Sequence, residues 1–127
     1  MKTTITGSSS LVPAAAQFEA WTAHDWDNGL LVTALAPHDR LTVRTCNSTY
    51  EIIVTVPKTA EVLVRGGHFF PEFTRARISG SSLGGSFLKL HGVYAGFQLE
   101  LIAGDQPIVT TRVRTIALTP APDGEVM

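Results

Sequence analysis

Leu41–Thr45 (LTVRT), Tyr50–Val56 (YEIIVTV) and Val62–Arg65 (VLVR) are three short strand-like runs separated by turn residues. Three more strand-like runs follow them along the chain: Phe87–Leu90, Phe97–Ile102 and Ile108–Leu118. Short runs rich in β-branched and apolar residues, bounded by Gly, Pro and Asn, are typical of antiparallel β structure. The chain therefore predicts an all-β fold, a small antiparallel barrel or sandwich of six to seven strands.

Alternation within the first runs predicts which side chains face the core. In Leu41–Thr45 the apolar residues alternate with Thr and Arg, and in the next run Tyr50, Ile52, Val54 and Val56 fall on one side. Pro57 predicts the end of that strand because it has no amide to give to a ladder. Cys46–Ser48 predicts the turn of the first hairpin.

A chain of 127 residues is long enough for one domain with its own core. We expect residues 1–13 to be a flexible N-terminus, 14–119 to be the single domain with an N-terminal arm, and 120–127 to be a flexible tail. The arm is irregular or short-helical, because Phe18 and Trp21 have the spacing of one helix face. An extended arm whose aromatic residues pack on the barrel is the alternative.

The charge distribution is uneven although the net charge is only −1. Residues 41–118 carry eight Lys and Arg against five Asp and Glu, whereas the first forty carry two against four. Cys46 is the single cysteine, so an intrachain disulfide cannot form. No run has the length of a signal peptide core or a membrane span, and we expect a cytoplasmic protein without a membrane partner.

Signatures of metal binding and catalysis are missing from the pattern. The histidines have no metal-ligand spacing, and no serine or metalloprotease motif is present. We therefore expect no metal, no cofactor and no catalytic residue, which favours a binding module over an enzyme. The enzyme alternative would need His68, His91 and Glu72, or His24 with Asp25 and Asp27, to converge in one pocket.

Two local features have a functional reading and a structural one. Cys46 could be a nucleophile near a distant histidine, but a small residue at a strand end explains it better. The glycine-rich stretch Gly80–Ser86 could hold an anion on its backbone amides, yet it lacks the ending of a phosphate loop. A tight, flexible connection is the favoured interpretation of this stretch.

Arginines recur at alternate positions of the predicted strands. Arg75 with Arg77 and Arg112 with Arg114 are same-face pairs, and Arg44 lies on an earlier strand. If these five shared one face, they would bind an anion, a cyclic dinucleotide or a single-stranded nucleic acid. The alternative is a solvated outer face on which the arginines pair with acids such as Glu51 and Glu100.

The segment Gly66–Phe73 (GGHFFPEF) concentrates apolar rings. Phe69, Phe70 and Phe73 lie within five residues and are interrupted by a proline. If they are buried, they plug the end of the barrel. If they are exposed, they form an interface for a protein partner, and self-association into a homo-oligomer is the expected use of such a patch.

Three stretches together resemble a set of short bacterial proteins of no assigned function: Thr45–Tyr50, Leu63–Glu72 and Gly80–Lys89. The resemblance implies a small barrel that stands alone, and it implies nothing about activity.

A second likeness is to PilZ-type barrels, which bind a cyclic dinucleotide through an R-x-x-x-R arm and a D/N-x-S-x-x-G strand. Arg40–Arg44 fits the first pattern, and Gly80–Gly85 fits the second except at Gly80. The arm falls inside a predicted strand and the usual C-terminal helix is missing, which puts that ligand in doubt.

Overall fold

A computed structural model describes the backbone of residues 3–6, 29–83 and 88–121, and the side chains of 29–83 and 89–121. The all-β prediction is confirmed, because two single 3₁₀ turns, Val32–Ala34 and Pro57–Thr59, are the helical elements among these residues. The strands are β1 Thr3–Thr6, β2 Gly29–Leu31, β3 Arg40–Thr45, β4 Thr49–Val56, β5 Glu61–Gly66, β6 Phe70–Ser82, β7 Leu88–Leu90, β8 Gly92–Tyr94, β9 Gln98–Ala103 and β10 Gln106–Thr119.

Six of the strands form a closed antiparallel ring in the order β3–β4–β5–β6–β9–β10, and β10 returns to β3. Each strand of the ring pairs with two others of the ring, but β6 pairs with β9 only from Arg77 onward, which leaves one edge of Phe70–Ala76 unpaired among the described residues. β1 extends the sheet at β10 and β7 extends it at β6, while β2 and β8 form a separate two-stranded sheet.

The two longest strands close the ring because each pairs with two neighbours in succession. The first half of β6 pairs with β5 and its last residues pair with β9, with a register shift between Ile78 and Gly80. β10 pairs first with β9 and then with β3, with shifts between Val109 and Arg112 and between Val113 and Thr115. Such bulges bend a strand and allow the sheet to curl.

The core lies inside the ring and follows the alternation of the strands. In β3 and β4 the predicted inward residues are buried, with one exception: Val56 is 42% exposed and the prediction for it is wrong. Thr55 is an extra residue against β5, and this bulge turns Val56 outward just before Pro57 ends the strand. The largest fully buried side chains are Phe70, Phe97, Leu41, Ile52, Ile78, Leu83, Leu99, Leu101 and Ile116.

Two predictions about flexible segments are corrected by the strand assignments. Thr3–Thr6 is not part of a flexible terminus, because it forms β1 and pairs with Thr115–Leu118 of β10; its β-branched residues suit a strand. Gly80–Ser82 belongs to β6 rather than to a connection, since the bulge at Ser79 lets the strand continue past the glycine. The arm at 14–27 and the tail beyond 121 lie outside the described residues.

Candidate functional site

The turn between β5 and β6 separates an exposed phenylalanine from a buried one. Gly66 and Gly67 have φ of 135° and 62°, a region that glycine enters without strain. After this turn Phe69 is 57% exposed, whereas Phe70 is 1% exposed and its ring meets Tyr50 edge to face. Phe70 is therefore a core residue and cannot present its ring to a partner, and Phe69 can.

Phe73 continues the aromatic surface along β6. It is half-buried, and the guanidinium carbon of Arg65 lies 4.4 Å from the centre of its ring. Arg65 in turn forms an ion pair with Glu51 of β4, with its Nε donating to Oε1 over 3.0 Å. The carboxylate thus holds the guanidinium over the ring, a cation–π arrangement.

A groove lies next to these residues, where β4 ends against β5 and β6. It has a volume of about 470 Å³, and its outward-facing lining is Thr55, Val56, Glu61, Leu63 and Arg75. The bulge that turns Val56 outward also shapes the groove, since Thr55 Oγ1 donates to the carbonyl of Glu61 over 2.9 Å. We call the outward side of β5, β6 and their turn the hairpin face: Glu61, Leu63, Arg65, Phe69, Phe73, Arg75 and Arg77.

Two arginines of the hairpin face have no charged partner among the described residues. Arg75 lies opposite Leu63, and Arg77 lies opposite Glu61, whose carboxylate instead accepts a hydrogen bond from Thr59 Oγ1 at 2.7 Å. No carboxylate of a described residue lies within ion-pair distance of Arg75 or Arg77, although both side chains are exposed. The hairpin face therefore combines an exposed and a half-buried phenylalanine ring with two arginines that no described carboxylate pairs.

The five arginines named from the sequence do not share one surface. Arg44 on β3 lies opposite Thr115, next to Arg114, whereas Arg75 and Arg77 lie on β6. Two strands of the ring separate β3 from β6 in either direction. Arg112, opposite Gln98 of β9, is half-buried and has a bonding partner. The structure thus places the arginines in separate groups rather than in one anion site.

The PilZ-type pattern is divided in the same way. Arg40–Arg44 forms β3 itself, and Gly80–Ser82 lies on β6 across the ring. The remaining two glycines of the pattern, Gly84 and Gly85, lie outside the described residues. The described parts of the two motifs are therefore not brought together.

Histidines and acids named as alternatives for catalysis also lie apart. His68 and Glu72 are exposed near the β5–β6 turn, whereas His91 is half-buried between β7 and β8. Within the described residues no group of three or more His, Cys, Asp and Glu is arranged to hold a metal. His24, Asp25 and Asp27 lie outside the described residues.

Comparison with family models, curated proteins and solved structures finds no match to this chain. The two resemblances drawn from the sequence therefore stay predictions. Within its described residues the structure contains no apolar helix of membrane-spanning length.

Sequence reasoning missed the groove because none of its residues forms a motif. Thr55, Val56, Glu61 and Leu63 read as ordinary positions of two strands, and only the bulge makes Val56 and its neighbours into a concave surface. One signal was present: proline in a sheet is confined to edges, strand starts and bulges, so Val56 before Pro57 was a candidate position for a bulge.

Proposed function

We propose that this protein is a non-enzymatic binding module that uses the hairpin face to contact protein, in the first place a second copy of itself. The observation that carries the proposal is Phe69, which is 57% exposed next to a neighbour that is fully buried. An apolar ring that the β5–β6 turn leaves exposed to water gains free energy once a partner covers it.

The residues around Phe69 have the composition of an interface centre. Aromatic side chains and arginine are enriched where protein interfaces concentrate their binding energy. Phe73 and Arg65 are already stacked, and the buried ring of Phe70 anchors the turn that carries Phe69. Little conformational entropy would be lost when a partner binds such a preorganised surface.

Sedimentation equilibrium of the purified protein tests the proposal. We expect a reversible dimer or small oligomer, and Phe69→Ser should raise its dissociation constant about thirtyfold, the effect of losing one aromatic anchor. Val109→Ser is the matched control, because Val109 is 46% exposed on β10, a strand that does not pair with the hairpin. If the wild-type protein is monomeric at every concentration over a 100-fold range that ends at its solubility limit, self-association is contradicted.

A second candidate function, binding of single-stranded nucleic acid, is supported by the unpaired Arg75 and Arg77 beside Phe73. Stacking platforms for bases combine aromatic rings with nearby positive charge. Titration of a labelled oligonucleotide at several salt concentrations tests it, because contacts to phosphate weaken steeply as salt rises. Binding that is absent at low salt, or that does not respond to salt, would exclude this function.

A further inference from the structure

The groove beside the hairpin face is lined by apolar and basic side chains. Val56 and Leu63 are the apolar residues on its outward side, and Arg75 is the basic one. Arg77 on β6 and the exposed Lys58 in the adjoining 3₁₀ turn add positive charge at its rim, and Glu61 is the one carboxylate among the described residues that line it. A ligand that fits this surface has an apolar side chain with carboxylates close to it.

Recognition at this groove must use side chains. The strand that runs through the groove, β5, is paired along its length with β4 on one side and with β6 on the other, so it offers no edge for an added strand. The volume of about 470 Å³ is within the range of about 300–1,000 Å³ found for pockets that hold small organic groups. It therefore has room for an aromatic side chain.

The same chain carries a segment of the complementary composition. Residues 14–28 (AAAQFEAWTAHDWDN) contain three aromatic residues, Phe18, Trp21 and Trp26, and three acids, Glu19, Asp25 and Asp27. The segment has no lysine or arginine, and its two tryptophans are the only ones in the protein. Its charge is opposite in sign to that of the groove rim.

We propose that the groove of one copy binds the acidic aromatic segment 14–28 of a second copy. An aromatic side chain of the segment occupies the space between Val56 and Leu63, and its carboxylates pair with Arg75 and Arg77. The proposal rests on the self-association proposed above, and it names a second contact within it, beside the one made by Phe69. Exposed opposite charges steer the encounter and select the register, and the apolar contact supplies most of the affinity.

Complementary charge reversal tests the pairing. One variant carries Arg75→Glu and Arg77→Glu, and a second carries Asp25→Lys and Asp27→Lys. We expect each variant alone to dissociate at least about tenfold more readily than wild type, because its own groove and segment repel. An equimolar mixture should associate again, since the acidic groove of the first variant accepts the basic segment of the second.

Arg44→Glu with Arg114→Glu is the matched control, because it removes the same charge on the far side of the ring. It should leave the dissociation constant unchanged. Charge-reversed variants that each associate as wild type does, or a mixture that stays dissociated, would overturn the proposal. Circular dichroism of every variant verifies that the strands are formed.

Tryptophan emission gives an independent readout, since Trp21 and Trp26 both lie in the proposed segment. Emission of the wild type should shift to longer wavelength over the same dilution range in which sedimentation reports dissociation. If Phe69→Ser dissociates the protein while the arginine reversal changes neither mass nor emission, self-association stands and the groove proposal fails. If the wild type is monomeric throughout, both fail.

Discussion

The rings of Tyr50 and Phe70 meet edge to face inside the ring of strands, with their centroids 6.4 Å apart and their planes inclined at 74°. This contact holds the end of the β5–β6 turn against β4, with the ring of Phe70 buried and that of Phe69 exposed. Phe70→Ala should therefore destabilise the protein by about 3–5 kcal/mol, the cost of an emptied aromatic site. Phe69→Ala should change the free energy of unfolding by about 0.5 kcal/mol or less.

Urea denaturation of the two variants at a concentration where the protein is monomeric measures this difference. Phe69→Ala is the control for Phe70→Ala, because each substitution removes one phenylalanine ring. Equal losses of stability would mean that Phe69 is packed as firmly as Phe70, and the exposed anchor of the hairpin face would not exist.

Gly66 makes the hairpin turn possible, and its replacement should be costly. Its φ is 135°, and a Cβ there would lie 2.1 Å from the carbonyl oxygen of Thr49. Gly66→Ala should lose at least about 3 kcal/mol, because backbone strain and a clash with backbone add together. Gly104→Ala has a φ of 63° but no atom within 4 Å of the new Cβ, and should lose about 1 kcal/mol.

Thermal unfolding followed by circular dichroism distinguishes the two glycine variants. Gly66→Ala should melt well below Gly104→Ala, and it should also reduce self-association because it moves Phe69. If the two melting temperatures fall by the same amount, steric contact at Thr49 does not determine the turn.

Ser81 and Ser82 are both fully buried, but their hydroxyls differ in partners. Ser81 Oγ donates to the carbonyl of Gly92 over 2.9 Å and accepts from the amide of Tyr94 over 3.0 Å, which holds β8 against β6. Ser82 Oγ has no hydrogen-bond partner among the described residues. Ser81→Ala should cost about 2–3 kcal/mol because two buried backbone groups lose their partner.

Ser82→Ala should be neutral or stabilising, because it removes a polar atom that is buried without compensation. Hydrogen exchange measures the local consequence: the amide of Tyr94 should exchange faster in Ser81→Ala and at its normal rate in Ser82→Ala. Fast exchange of Tyr94 in both variants would assign the effect to packing rather than to the hydroxyl of Ser81.

Local pattern was sufficient for most of the fold. Alternation placed Leu41 and Val43 inside, and Pro57 ended its strand as predicted. Closure of the ring could not be read in this way, because it depends on β6 and β10 changing partners at bulges. A glycine such as Gly80 predicts a turn locally, and its pairing with Leu90 of β7 and Glu100 of β9 keeps it within a strand.

The candidate site was predictable in its composition but not in its geometry. The sequence named Phe69 and Phe70 together, yet alternation cannot separate them because the turn that sets their phase contains two glycines in the left-handed region. Likewise it grouped Arg44 with Arg75, and the order of strands around the ring puts them apart. Which side chains share one surface depends on the pairing register of strands that are distant in the sequence, and composition does not determine that register.

The side chain of Asp39, which directly precedes β3, is hydrogen-bonded to the chain just after β10. Its replacement should weaken the pairing of β10 with β3 that closes the ring. Its Oδ2 accepts from the amide of Ala36 over 2.9 Å and its Oδ1 accepts from the amide of Ala121 over 2.8 Å. Asp39→Ala leaves both donors without their acceptor and should cost about 2–3 kcal/mol. Asp39→Asn keeps one acceptor oxygen and should cost about half as much.

The urea midpoints of the two Asp39 variants rank their losses of stability, provided that the dependence of the unfolding free energy on urea concentration is unchanged. Hydrogen exchange shows where the structure is weakened. The amide of Ala121 should lose protection from exchange in both variants. The amide of Val54 should keep its protection, because it donates to the backbone carbonyl of Asp39 over 2.9 Å. Loss of protection at Val54 as well would mean that the carboxylate supports the whole start of β3. An Asp39→Ala midpoint equal to that of wild type would show that pairing of β10 with β3 closes the ring without this side chain.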